Sequence, residues 1–75
     1  MPHVIVKLYP GRSEAQKCDL AERITAALTG ALGSTEASIS IAIEEVPAEA
    51  WVGQVFDPEI RPNLDALYKK PGYQP

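Results

Sequence analysis

Pro2 has the most distinctive chemistry in this chain, because removal of Met1 would turn its nitrogen into a free secondary amine. Such an amine can take and return a proton or attack a carbonyl carbon. An α-amino group titrates at roughly 7.7 to 8.0, and burial against apolar side chains lowers that value toward neutrality. The alternative is a purely structural proline at the head of a strand, where no ladder donor is lost. We take Pro2 as a candidate general base, conditional on the removal of Met1.

Other nucleophilic and metal-binding side chains are scarce. His3 is the only histidine and Cys18 the only cysteine, so neither a multi-histidine metal site nor an intrachain disulfide can form. His3 adjoins Pro2, but neighbours along a strand point to opposite faces, which favours packing or solvent over a direct role. Cys18 lies on an apolar helix stripe and is interpreted as a small buried hydrophobic residue, not as a nucleophile. No phosphate-binding or zinc-protease motif is present.

Composition indicates one small globular domain spanning residues 1–75. The chain is 45% hydrophobic and 23% charged, which argues against disorder. Its formal net charge is −3 and its basic residues are scattered, which argues against nucleic acid as a partner. No segment is long and apolar enough for a membrane span. The lone thiol fits a reducing compartment, so we expect a cytoplasmic location.

Strand and helix signals divide the first half of the chain. A β-branched run predicts a strand over residues 2–9, ended by the turn pair at 10–11. Ser13 and Gln16 have the spacing of a capping box, which predicts the start of a helix. Its apolar residues recur at helical spacing, and Gly33 is placed to end it. The stripe consists of Cys18, Ala21, Ile24, Leu28, Ala31 and Leu32.

A second strand is predicted over residues 38–46, SISIAIEEV, where isoleucines alternate with small and acidic residues. Strand, helix and strand with this connection length imply a parallel pair. One helix covers only one face of such a sheet, whereas both strands carry enough apolar residues to make two apolar faces. We therefore expect the other face and the free edges to meet another subunit, so the predicted class is α/β, a βαβ protomer that is oligomeric.

The sequence pattern in the last third of the chain predicts another helix. Asp57 is a good N-cap and Pro58 a good first helical residue. Pro62 removes an early hydrogen bond, so the helix is either kinked there or begins near Arg61. Lys69 and Lys70 would complement its carbonyl end, and the pair at 71–72 would stop it.

Four stretches together resemble one known family. PHVIVKLYPGRSEAQK, SISIAIEEV, Trp51 and FDPEIRPNLDALYKKPGY are similar to the tautomerase superfamily, in particular to short 4-oxalocrotonate tautomerases. The branch that is most alike is a group of small dimeric tautomerases with a C-terminal KKPGY. The resemblance implies a four-stranded sheet formed across a dimer, an isomerase that needs no cofactor, and a small-molecule substrate.

The same resemblance implies roles for individual residues. Pro2 would be the catalytic base that moves a proton between oxygen and carbon of an enol-pyruvate. Arg12 would bind the substrate carboxylate, and Trp51 would form an aromatic wall of the site. Ser40 stands where hexameric members carry a second arginine, so a dicarboxylate is a doubtful substrate and a monocarboxylate fits better. Arg61 could supply the missing cation, against the alternative of an ordinary surface arginine.

Two other function classes remain open on sequence alone. One is a hydrolytic dehalogenase or hydratase of the same superfamily, in which protonated Pro2 acts as the acid. Glu44 or His3 would then have to activate water. The other is a non-catalytic oligomeric interaction module, which retention of Met1 would favour because an acylated proline has no basic nitrogen.

Overall fold

The computed structural model describes residues 1–75 as two compact units, Met1–Glu45 and Val46–Pro75. The first unit contains strand β1 (His3–Leu8), helix α1 (Glu14–Leu32), a 3₁₀ turn (Glu36–Ser38) and strand β2 (Ser40–Glu45). The second contains a 3₁₀ turn (Ala48–Ala50), a π-helix (Val52–Ile60) and a 3₁₀ helix (Arg61–Ala66). The predicted βαβ protomer with further helix at its C-terminal end is confirmed. The prediction of a single domain over 1–75 stays a prediction.

The two strands pair in parallel, as predicted, with His3 opposite Ser40 and Leu8 opposite Glu45. Both are shorter than the sequence pattern suggested. β2 loses its first two residues because the amide and hydroxyl of Ser38 both donate to the carbonyl oxygen of Thr35, which holds that residue in the 3₁₀ turn. Pro2 lies just outside β1 but stays tied to the sheet, since its carbonyl oxygen accepts a 3.1 Å hydrogen bond from the Ser40 amide.

This register gives the sheet one apolar face and one mixed face, because side chains alternate along each strand. Ile41 and Ile43 lie on the apolar face and border a groove shared with Cys18 and Ala21 of α1. The opposite face, which we call the outer face, consists of His3, Ile5, Lys7, Ser40, Ala42 and Glu44.

Helix α1 begins and ends where the sequence predicted. The Ser13 hydroxyl accepts from the Gln16 amide at 3.1 Å, while the Gln16 side chain accepts from the Ser13 amide at 2.9 Å. Gly33 ends the helix in the left-handed conformation, with φ 68°, and donates to the Thr29 carbonyl. No helix of the chain is both long and apolar enough to cross a membrane.

An ion-pair network joins α1 to β2. The Lys17 ammonium lies 2.7 Å from a Glu14 carboxylate oxygen and 3.7 Å from one of Glu45. Its hydrogen bond to Glu14 is the main reason that the pKa of Lys17 is raised above its ordinary value. The helix is therefore anchored to the carboxyl end of β2 at its first turns.

Burial in the first unit is shallow. None of its residues is fully buried, and the buried residues of the chain are Val46, Val55 and Phe56. Along the predicted stripe, Ile24 and Leu28 are half-buried, whereas Leu32 is exposed. The prediction that Cys18 is buried is wrong, because this residue is exposed in the protomer.

The predicted start of the last helix at Asp57 is also wrong. Asp57 and Pro58 lie inside the π-helix, which begins at Val52, five residues before Asp57. A proline ring in an α-helix collides with the carbonyl four residues before it, and the wider π turn relieves that collision. The Arg61 amide accordingly bonds to the Phe56 carbonyl, five residues back.

The chain then bends close to Pro62, as expected. Pro62 lies in the first turn of the 3₁₀ helix, and Asn63 has the non-helical angles φ −116° and ψ 15°. This helix ends at Ala66, so Lys69 and Lys70 lie beyond it and do not complement its carbonyl end. Lys69 instead donates weakly to the Lys70 carbonyl, at 3.4 Å.

Gly33 and Gly30 make a matched pair for testing the α1 cap. Gly33→Ala should lower the free energy of unfolding by about 1 kcal/mol, because alanine is strained at a positive φ. Gly30→Ala, inside the helix and with open space around its Cα, should raise it by about 0.5 to 1 kcal/mol. Urea unfolding measures both, and equal effects of the same sign would contradict the assigned cap.

Candidate active site

Pro2 is held at the amino end of β1 by its neighbour across the sheet. It is half-buried, and the 3.1 Å bond from the Ser40 amide to its carbonyl oxygen fixes the backbone beside the nitrogen. That nitrogen is in a peptide bond with Met1, whose side chain is fully exposed. The structure thus gives Pro2 a defined position while Met1 is free of packing contacts that its removal would break.

Ser40 and His3 form a hydrogen-bonded pair next to Pro2. Ser40 Oγ lies 2.6 Å from His3 Nδ1, on the outer face of the sheet. This pair was not predicted from the sequence, in which the two residues lie 37 positions apart. The sequence pattern predicts that the two strands pair in parallel. It does not give the register that sets His3 opposite Ser40.

Arg12 lies at the other end of β1, in the loop that leads to α1. From His3 to Leu8 the strand extends roughly 17 Å, and Arg12 follows after a turn through Gly11 at φ 122°. The Arg12 guanidinium makes no ion pair or hydrogen bond within the chain and borders a pocket of about 270 Å³. One protomer therefore does not bring Arg12 and Pro2 together.

Trp51 and Arg61 belong to the second unit, whereas Pro2, Arg12 and Ser40 belong to the first. The half-buried Trp51 donates its indole N–H to the Tyr73 hydroxyl at 2.9 Å. The Tyr73 ring in turn packs on Phe56, with centroids 5.8 Å apart and the planes tilted by 47°. The indole is thus held by the C-terminal segment of its own unit.

Arg61 is engaged in local contacts. Its Nε lies 3.0 Å from Asp57 Oδ1, and its guanidinium carbon is 4.9 Å from the centre of the Phe56 ring. The side chain nevertheless remains mostly exposed and borders a pocket of about 210 Å³ with Leu64 and Pro71. Its role as a substrate cation stays a prediction, and the observed contacts give it a structural task in its own unit.

The arrangement suits proton transfer better than metal chemistry. No three metal-ligating side chains cluster anywhere in the chain. The end of the sheet instead combines a proline that can become an amine, a hydroxyl and an imidazole. These groups can accept a proton, return it and donate a hydrogen bond to a developing oxyanion.

Comparisons with known proteins find similar chains among tautomerases. The family model described as "Tautomerase enzyme" matches residues 2–55. Tautomerase PptA of Cronobacter sakazakii is 45% identical over 75 residues, covering 99% of each chain. A solved 4-oxalocrotonate tautomerase isozyme of Methylibium petroleiphilum is 34% identical with a TM-score of 0.64, over 67% of this chain and 81% of that one. TomN, a 4-oxalocrotonate tautomerase homologue of the tomaymycin biosynthetic pathway, is 36% identical with a TM-score of 0.65, over 67% and 77%.

The contact between Trp51 and Tyr73 yields a direct test. Tyr73→Phe keeps the ring on Phe56 but removes the acceptor of the indole N–H, so it should cost about 1 kcal/mol of unfolding free energy. Since Trp51 is the only tryptophan, its fluorescence emission should shift in the same variant.

Tyr68→Phe is the matched control, because the Tyr68 side chain is fully exposed. It should leave both the unfolding free energy and the emission spectrum unchanged. If the two variants behaved alike, the indole would not depend on Tyr73.

Proposed function

Because the chain belongs to the tautomerase family, we propose that it catalyses keto–enol conversion of an enol-pyruvate monocarboxylate, with the Pro2 amine as general base. The observation that carries the proposal is the tether from the Ser40 amide to Pro2, which fixes the base at one end of the sheet. Pro2 takes the proton from the enol oxygen and returns it to the adjacent carbon. The reaction moves one proton within the substrate and is redox-neutral, so it calls for no cofactor.

Ser40 and Arg12 define the class of substrate. The arginine offers one guanidinium fork, which suits one carboxylate. Ser40 offers a neutral hydroxyl at the place where a second cation would be needed for a second carboxylate. A monocarboxylate with an aryl or alkyl group at its other end therefore fits better than a dicarboxylate.

The site is proposed to be completed across a dimer. β1 pairs only with β2, so its second edge is open, and an isolated two-stranded sheet is marginal. A two-fold axis beside that edge would set two β1 strands antiparallel, because the same edge meets itself. The Leu8 end of one strand would then lie next to the Pro2 end of the other. This arrangement places Arg12 of the partner subunit near the base, which its own protomer does not.

The role of Pro2 is tested with phenylenolpyruvate and protein whose intact mass shows loss of Met1. Pro2→Ala replaces the secondary amine, whose direction the ring fixes, with a freely rotating primary amine, so it should lower kcat/KM by roughly 100-fold, which is within the range that a correctly positioned base contributes. A preparation that retains Met1 should be similarly inactive with an unchanged circular dichroism spectrum. Equal rates for Pro2→Ala and the Met1-free wild type would refute the proposed function.

Subunit mixing tests where Arg12 acts. Pro2→Ala and Arg12→Ala proteins are each weakly active alone. After unfolding and refolding in a 1:1 mixture, each mixed dimer holds one intact site if Arg12 serves its neighbour, so about a quarter of wild-type activity should return.

If Arg12 acted in its own subunit, no mixed dimer would hold an intact site and activity would stay at the level of the parents. Mixing Pro2→Ala with Pro2→Ala/Arg12→Ala is the matched control. It contains no proline amine, so its activity should stay at the weak level of the parents.

A further inference from the structure

The His3–Ser40 pair is the one polar side-chain contact between the two strands at the end that carries Pro2. His3 directly follows Pro2 in the chain, and the Ser40 amide bonds to the Pro2 carbonyl. The imidazole, the hydroxyl and the base are therefore fixed to the same few backbone atoms. The hydrogen bond between Ser40 and the His3 imidazole therefore determines whether the Ser40 hydroxyl can donate to a substrate bound at Pro2.

The direction of this hydrogen bond differs between the two charge states of the imidazole. A hydroxyl has one proton to donate, whereas an imidazole nitrogen either accepts or donates according to its protonation. When His3 is neutral and its Nδ1 is unprotonated, the Ser40 hydroxyl donates its proton to Nδ1, and Oγ lies 2.6 Å from that nitrogen. With doubly protonated His3, Nδ1–H donates to Ser40 Oγ, and the hydroxyl proton is released for a third atom.

We propose that His3 is a positioning residue that controls the Ser40 hydroxyl, so that protonated His3 makes Ser40 the donor to the substrate's 2-oxo oxygen. This inference rests on the proposed function. As Pro2 removes the enol proton, negative charge grows on that oxygen, and a donor aimed at it lowers the barrier. The proton on His3 stays on His3 throughout, so the balance of the tautomerisation is unchanged.

Few charged groups of the first unit lie near His3. On the outer face the other charged residues are Lys7 on β1 and Glu44 on β2, opposite each other and about 13 Å along the strands. Helix α1 covers the other face and brings no charge to His3. Within the first unit the Pro2 amine adjoins His3, and the proposed dimer adds Arg12 of the partner subunit.

The pH profile of kcat/KM is the first measurement. In the Met1-free wild type, activity should rise as the Pro2 amine loses its proton and fall again as His3 loses its own. His3→Asn, which keeps a polar atom near Nδ1 but does not titrate, should retain the rising limb and lose the falling one. Retention of the falling limb in His3→Asn would overturn the inference.

Serine variants separate the hydroxyl from the fold. Ser40→Ala should lower kcat/KM by about 10- to 100-fold on the acid side of the falling limb, since a donor to a charged oxygen is lost. Ser40→Thr, which keeps the hydroxyl and suits a strand, should restore most of it. His3→Asn/Ser40→Ala should be no worse than Ser40→Ala alone, because both changes act on one donor.

Lys7→Gln is the matched control for charge on the outer face. It should leave the shape of the pH profile intact, because Lys7 does not touch the pair. A loss of the falling limb in Lys7→Gln comparable to that in His3→Asn would mean that the limb reports general electrostatics, and the inference would fail.

The tautomer of neutral His3 gives a readout independent of turnover. His3 is the only histidine, so its ring nitrogens can be followed in ¹⁵N spectra of the full chain. Above its titration, Nδ1 should be unprotonated, and the Ser40→Ala variant should change its shift. A protonated Nδ1 in neutral His3 would overturn the inference.

The two proposals fail differently. If activity does not depend on Pro2, the proposed function is wrong and the His3–Ser40 inference falls with it. If activity depends on Pro2 but the profiles of His3→Asn and Ser40→Ala superimpose on the wild type, only the inference about the pair is wrong.

Discussion

The parallel register of β1 and β2, with His3 opposite Ser40, is the constraint on which the first unit depends. It sets Ile41 and Ile43 toward α1, and at the same time it lets the Ser40 amide reach the Pro2 carbonyl. A slip of one residue would turn the isoleucines outward and place an isoleucine opposite His3. The apolar pattern that makes the sheet therefore also fixes the positions of Pro2 and of the neighbouring Ser40 hydroxyl.

Shallow burial and the separation of Pro2 from Arg12 have the same origin in this protomer. A single helix covers one face of two strands, so no residue of the first unit is fully buried and Ile5 remains 52% exposed on the outer face. Small chains commonly depend on association for stability because they bury too little surface alone. The same short sheet separates Pro2 from Arg12 by the length of a strand. Association of two protomers at the open edge of β1 would both bury more apolar surface and bring Arg12 of one protomer close to Pro2 of the other.

Local signals predicted the first unit well because local physics determines it. The Ser13–Gln16 box and Gly33 delimit α1 as expected, since each acts through hydrogen bonds within a few residues. The C-terminal half differs because Asp57 and Pro58 have the form of a helix start but lie within a longer π-helix, whose wider turn the pattern does not encode. Pro2 and Ser40 could be singled out from the sequence, whereas the contact between His3 and Ser40 depends on register and appeared only in the structure.

The Ser40–His3 pair offers a substrate different hydrogen-bond donors from those that an arginine at position 40 would offer. A guanidinium is always charged and presents several donors, so it binds a second carboxylate and polarises an oxo group at any pH. A hydroxyl presents one donor, and a 2.6 Å contact to imidazole decides whether that donor is free. The proposed pair can therefore assist an oxyanion that forms beside Pro2 but has no fork for a second anion. Selectivity for monocarboxylates and sensitivity to pH would then both follow from having the Ser40–His3 pair, and not an arginine, at this position.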